Sequence, residues 1–128
     1  MAAFSNYAED LLVNALLRGT SFTAPATPYV ALFVSDPGEA GSGTEVSGGS
    51  YTRKAATFAA PSNGVTETTA DLVFNQATAN WGTVGYFAIF DASTAGNMLF
   101  HGALTTPKTI EIDDQFNIPA GNLTVTLL

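Results

Sequence analysis

Cysteine is absent from this 128-residue chain, and that omission alone removes several chemistries. No thiol nucleophile, thiolate zinc site or iron–sulfur cluster can be built, and no disulfide can staple the fold. The redox compartment stays open, because a self-sufficient core needs no crosslink anywhere. Charge is the second scarcity. Charged residues are 12% of the chain, about half the usual share, and eleven acidic groups face four basic ones for a net −7 with His101 neutral. That balance argues against nucleic acid as a partner, since backbone phosphates demand Lys and Arg. Long apolar runs are missing as well. Residues 11–17 form a short run broken by Asn14, and residues 1–7 carry no positive charge. Neither a spanning helix nor a signal peptide is expected, and no membrane partner. The protein is expected to be made soluble in the cytoplasm and, if it leaves its cell, to do so by another route, such as lysis within a particle.

What is present in place of charge is hydroxyl: 17 Thr and 8 Ser. Such a surface has two readings. It is merely neutral, or it is covered by partner subunits, where Lys and Glu are depleted. The length makes one domain, 1–128, with a core large enough to stand without staples.

One helix is predicted, over residues 7–18. Tyr7, Leu11 and Ala15, and Ala8, Leu12 and Leu16, recur at four-residue spacing, with Val13 and Leu17 widening the stripe. Asn6 with Glu9 resembles a capping box, Phe4 or Ser5 precedes it, and Gly19 is a natural stop. So wide a stripe predicts a helix laid across a sheet or buried by a neighbour. Beyond it the period changes to two. Residues 29–35 (YVALFVS) read as a central strand, apolar on both faces and ended by Asp36-Pro37-Gly38. Residues 38–50 hold five glycines and no period, so they read as a loop, either loose or an arm ordered against a neighbouring subunit.

Residues 51–58 are predicted as a strand with Tyr51 and Arg53 on one side. Asn63-Gly64 marks a type I′ turn, and residues 65–68 and 71–74 are short strand candidates. Residues 83–90 (TVGYFAIF) are the strongest strand and should pair with 98–104 as a hairpin, Gly85 and Gly102 allowing close approach or a bulge. Residues 109–112, Phe116 with Ile118, and 123–128 (LTVTLL) continue the alternation, and the last is expected to tie down the chain end. The sum is a mainly β fold: an antiparallel β-sandwich or jelly-roll-like barrel over residues 28–128, with one N-terminal α-helix.

The search for chemistry is mostly negative. The single histidine, His101, lies in an apolar strand with no nucleophile beside it. The carboxylates Asp36, Glu39, Glu45, Glu67, Asp71, Asp91 and Glu111 are scattered, so nothing fixes the separation that paired acids need. Asp113-Asp114 lacks calcium-loop spacing and reads as a solvated turn. The glycine-rich loop lacks the Gly-Lys-Ser/Thr ending of a phosphate cradle. Trp81 reads as a core anchor, with an interface hot spot as the alternative. No catalytic, cofactor-binding or metal-binding residue is assigned, no cofactor is implied, and no enzyme is expected.

Three segments carry a resemblance. Residues 32–53 (LFVSDPGEAGSGTEVSGGSYTR), 81–93 (WGTVGYFAIFDAS) and 96–104 (GNMLFHGAL) are similar to a family of small virion proteins of tailed bacteriophages, described as tail-fibre or head-fibre-like. The likeness runs over almost the whole chain. It implies a structural or adhesive role without catalytic residues. Longer fibre proteins of this kind carry stalk and tip segments; this chain has no repetitive shaft. By size and simplicity the expected role is therefore a capsid decoration or cement protein. Such a protein sits on the outer capsid, binds the major capsid protein and neighbouring copies of itself, and is expected as a trimer. The alternative is a tail-fibre or baseplate domain that binds a host-surface receptor, for which a shallow aromatic groove with polar neighbours would speak.

Overall fold

The computed structural model describes residues 2–127. In chain order it forms β1 (Ala3–Phe4), α1 (Asn6–Arg18), β2 (Tyr29–Phe33), β3 (Lys54–Ala55), β4 (Val65–Glu67), β5 (Leu72–Val73), β6 (Gly82–Phe90), β7 (Met98–Ile110), β8 (Asn117–Ile118) and β9 (Thr124–Thr126). One five-stranded antiparallel sheet runs β1-β7-β6-β2-β3, and two ribbons, β4-β9 and β5-β8, stand apart from it. The mainly β class and the N-terminal helix agree with the sequence reading. The jelly-roll barrel does not: no sheet closes on itself, and the material beside the large sheet is two separate ribbons. The reason is strand length. β4, β5, β8 and β9 run two or three residues each before Thr-, Gly- or Pro-containing turns interrupt the ladder.

The hairpin of β6 and β7 is the centre of the sheet, in register from Phe87 opposite Gly102 to Ile89 opposite Phe100. Its register shifts between Val84 and Tyr86, at Gly85, where a bulge was expected. β7 then runs on through Pro107 to Ile110, joining two predicted strands into one. β2 lies between β6 and β3, and it is apolar on both faces because a hydrophobic cluster covers each. Val30 and Leu32 join Phe87 and Ile89 in the main core, with Leu72, Phe74, Ile118 and Val125 from the ribbons and their flanks. Ala31, Phe33, Ala88, Phe90 and Met98 form a smaller cluster on the other face. Asn63 and Gly64 both take positive φ, 52° and 78°, inside a doubly bonded Ser62–Val65 turn, as the type I′ signal requires. The predicted strand 51–58 shrinks to Lys54–Ala55, and the last strand to Thr124–Thr126. Leu128, the end of that predicted strand, lies outside the described residues.

Helix α1 starts one residue earlier than expected, because Ser5 rather than Asn6 caps it. The Ser5 hydroxyl accepts the Ala8 N–H at 3.1 Å and donates to the Met98 carbonyl, and the Ser5 N–H bonds the Leu99 carbonyl at 3.0 Å. One buried hydroxyl thus caps the helix and pins it to β7. Gly19, at φ 66°, ends it as expected. The wide stripe divides: Ala8 is buried and Leu11, Leu12 and Ala15 are half-buried, whereas Val13, Leu16 and Leu17 stay exposed. Replacing Ser5 by Ala removes the cap and leaves the Met98 carbonyl without that donor. The expected cost is about 1–2 kcal/mol, read as a lower urea midpoint with an unchanged slope; an unaltered midpoint would contradict the double role.

Candidate binding surfaces

The glycine-rich segment is neither loose nor an outstretched arm. Residues 44–46 return along β2: the Val34 N–H bonds the Thr44 carbonyl at 2.9 Å and the Val46 N–H bonds the Leu32 carbonyl at 2.9 Å. Val46 is buried in the main core. Glu45 then meets Arg53, two oxygens against two nitrogens, with Nε–Oε2 and Nη2–Oε1 both 2.9 Å. The remaining Arg53 nitrogen, Nη1, donates to the carbonyls of Ala92 and Ala95 at 3.0 and 2.8 Å, and the guanidinium lies 3.7 Å over the Phe90 ring. The Arg53 side chain is only 8% exposed. The Tyr51 hydroxyl donates to Glu45 Oε2 at 2.7 Å and accepts the Leu32 N–H at 3.0 Å. Burial first, and then the bond to Glu45, pushes the Tyr51 phenol well above its ordinary range.

Trp81 completes this knot from the core side, as the anchor reading held. It is buried, edge-on to Tyr51 at 5.4 Å, and its indole N–H donates to the Gly49 carbonyl at 2.9 Å. Gly49 sits at φ 57°, and a Cβ there would fall 2.7 Å from the indole nitrogen. The run 44–53 is therefore an internal fastening. The expected side shared by Tyr51 and Arg53 is real, since both reach Glu45. Glu45 as their partner was not visible, because nothing in its flanks marks it.

The other singled-out residues do not converge. His101 pairs in the sheet with Ala3 and Ala88, and its buried Nε2 has no hydrogen-bond partner among the described residues. Asp114 spends a carboxylate oxygen on the Glu111 N–H at 2.9 Å, closing its own turn. No trio of His, Asp or Glu gathers among the described residues, and none of its helices is long and apolar enough to cross a membrane.

Two grooves remain. An apolar one of about 580 Å³ is lined by Pro25, Pro28, Phe58, Pro61, Ile89, Phe100, Val125 and Leu127, without a charged residue. A polar one of about 290 Å³ lies where β7 passes β8 and β9, lined by Thr105, Thr106, Lys108, Asn117, Asn122 and Thr124 against Phe87 and Phe116.

Fold and surfaces together define a small, mainly β protein with one N-terminal helix. The family model described as Podophage GP4 fiber I protein gp80 matches residues 3–126, and the chain belongs to that family. It is a non-enzymatic structural component of a bacteriophage virion, in agreement with the resemblance read from its sequence. No curated protein matches it.

Glu45→Gln leaves the Arg53 guanidinium buried without its counter-charge and is expected to cost about 3 kcal/mol in urea unfolding. Deletion of residues 41–49, harmless to the fold on the arm reading, removes Glu45, Val46 and the Gly49 carbonyl together. It is expected to abolish the cooperative transition in circular dichroism. The raised Tyr51 phenol sets a pH dependence. Below about pH 10 the phenol is neutral folded and unfolded, so stability is unaffected; above it only the unfolded chain sheds the proton, and stability falls as pH rises. Tyr51→Phe should flatten that alkaline decline, measured as urea midpoint from pH 9 to 11.

Proposed function

We propose that this chain is a fibre-borne module that binds a host-surface receptor through the polar groove of β7, β8 and β9. The observation that carries the reading is the match of residues 3–126 to a fibre protein family. Capsid decoration, the role expected from size and simplicity, has less support, since the family's description names a fibre. With it goes the major capsid protein as the favoured partner. Association with further copies of the chain, a trimer on the sequence reading, stays part of the proposal.

The groove suits a hydroxyl-rich ligand such as a glycan. Thr105, Thr106 and Thr124 offer hydroxyls that donate or accept, Asn117 and Asn122 offer amides that do both, and Lys108 adds a cation. Phe87 and Phe116 lie beneath it but are themselves buried, so the groove meets the polar half of the expectation and not its aromatic surface. Each such hydrogen bond is worth about 1 kcal/mol net, so one groove binds weakly and several copies bind by avidity.

Two measurements test the reading. Purified protein is expected to compete with phage for adsorption to host cells, and an Asn117→Ala, Asn122→Ala variant to compete about tenfold less well. Antibody label in electron micrographs is expected on fibres; label spread over the head would overturn the proposal in favour of decoration.

A further inference from the structure

The polar groove has a charge balance unlike that of the chain around it. Eleven acidic groups face four basic ones in the sequence, yet the groove lining includes Lys108 and no carboxylate. The hollows beside α1 are the reverse: one includes Asp10, another Glu39, and neither a cation. The other three cations are engaged. Arg53 is paired with Glu45, Lys54 Nζ bonds Asn75 Oδ1 at 2.9 Å, and Arg18 reaches Asn14 Oδ1 at 3.3 Å. Lys108 has no ion-pair or hydrogen-bond partner among the described residues. The backbone sets its place. Between the pairs Tyr86–Ala103 and Val84–Lys108, β6 advances two residues while β7 advances five. β7 therefore bows out over residues 104–107, an enlarged bulge of the kind that re-aims side chains beside functional sites. The bow carries Thr105 and Thr106 to the groove. Past it, Lys108 stands opposite Val84, on the side of the sheet that Val84 and Ile110 give to the core, but at the open groove, where it stays exposed. The neutral groups beside it are free as well. Elsewhere hydroxyls are paired, as Thr83 with Thr109 or Thr66 with the Ala59 carbonyl. The three threonines and two asparagines of the groove make no side-chain hydrogen bond among the described residues.

We propose that the groove selects an acidic sugar, the carboxylate of a uronic acid set against the Lys108 ammonium while the free threonines and asparagines bond its hydroxyls. This deepens the reading of the groove as a glycan site, and rests on it. Charge complementarity carries it: one unpaired cation in the lining answers one negative charge on the ligand. A phosphate-bearing sugar fits less well. A phosphate monoester holds nearly two charges near neutral pH, and its usual partners are Arg forks and helix N-termini. The groove lining has no Arg, and α1 starts on the backbone of Met98 and Leu99, outside that lining. The nearest acidic residues in the chain lie beyond the two ends of the groove. Glu111, Asp113 and Asp114 belong to the turn after β7. Glu111 is three residues past Lys108, about 10 Å along the chain and alternating to the other face, and Asp114 is tied to its N–H. At the far end Glu67 stands opposite Thr124, and Asp71 accepts the Ala120 N–H at 2.8 Å. Ala3 pairs with His101 and Ala2 bridges Val125, so that end lies level with residue 101, up to about 20 Å of strand before Lys108. Exposed charges at such spacings are largely screened at physiological salt. The other contacts in the groove are neutral, so a single ion pair sets the preference for an acidic sugar and leaves the rest of the contact insensitive to salt.

The test uses the whole chain and polysaccharide extracted from the host-cell surface, immobilised either intact or after its uronic carboxyls have been reduced to primary alcohols. That reduction leaves ring hydroxyls, phosphate esters and sulfate esters in place. The unaltered chain is expected to bind the intact polymer and to bind the reduced one about tenfold more weakly. Lys108→Gln is expected to bind both polymers alike, at the weaker level, and Lys108→Arg to keep the preference for the intact one. Lys108 is exposed, so neither substitution should move the thermal midpoint. Equal binding of the two polymers by the unaltered chain overturns the acidic sugar and leaves the glycan reading standing. A loss in Lys108→Gln that reduction does not reproduce assigns the charge to phosphate or sulfate and overturns the carboxylate. Binding to neither polymer, or binding that the Asn117→Ala, Asn122→Ala variant retains in full, overturns the groove reading and this inference with it.

Discussion

The fold depends on one buried cation. Arg53 bonds the Glu45 carboxylate through two nitrogens, closes on the carbonyls of Ala92 and Ala95 through the third, and lies on Phe90. Both ends of one loop and a turn some forty residues on meet there: the strand-like return beside β2, the segment leading into β3, and the β6–β7 turn. Placing a charge in such a site costs several kcal/mol of desolvation, which a bidentate partner and two carbonyls offset only if every nitrogen is placed. The geometry is therefore demanding, and that demand selects one path for a loop with five glycines. Without it, the entropy lost in ordering so flexible a segment would be offset by the burial of Val46, the Gly49–Trp81 bond and the two backbone bonds to the β2 strand.

How much of this was legible follows from the range of the forces. The helix, the central β2 and the β6–β7 hairpin were readable because burial repeats at a fixed period within each segment. The Asn63-Gly64 turn was readable because its backbone conformation is a property of those two residues. The two-residue strand β1 was not, since so short a pairing has no period and is imposed by its partner; β3 and β5 were read, but inside the longer segments 51–58 and 71–74, because alternation does not show where a ladder loses its partner. The barrel expectation failed for the same reason: counting strands says nothing about whether ladders join. At the candidate surfaces, Trp81 was identified as an anchor by its size alone. Glu45 escaped because its importance lies wholly in Arg53 and Tyr51, which reach it through the fold.

Scarcity of charge shapes the surface as well as the knot. Where many proteins would place ion pairs, this one places paired hydroxyls: Thr83 with Thr109 at 3.0 Å, Thr57 with Thr69 at 2.6 Å, Ser50 with Thr78 at 2.9 Å. Of its four cations, Arg53 is internal and the Lys54 ammonium is held by Asn75 at 2.9 Å. Contacts made by hydroxyls and apolar groups are little affected by Debye screening, unlike contacts between exposed ions. Recognition built on such groups keeps its strength across changing ionic conditions, a property suited to a virion component that works outside the cell in which it was made.

Helix α1 shows the same economy at the level of an element. Thirteen residues are a marginal helix in water, and only Ala8 of this one is buried in the single copy. Its stability here comes from its ends: the Ser5 cap fastened to β7, Glu9 near the positive end of the dipole, and the left-handed Gly19. Ends of this kind fix where a helix starts and stops; they do not explain leucines on its outer side. Those leucines cost nothing in helix propensity. They raise the exposed apolar surface, though, and a chain without a use for that surface would gain solubility by losing it. Folding of the single copy gains little from them, since the helix is fixed by its two ends and by the burial of Ala8.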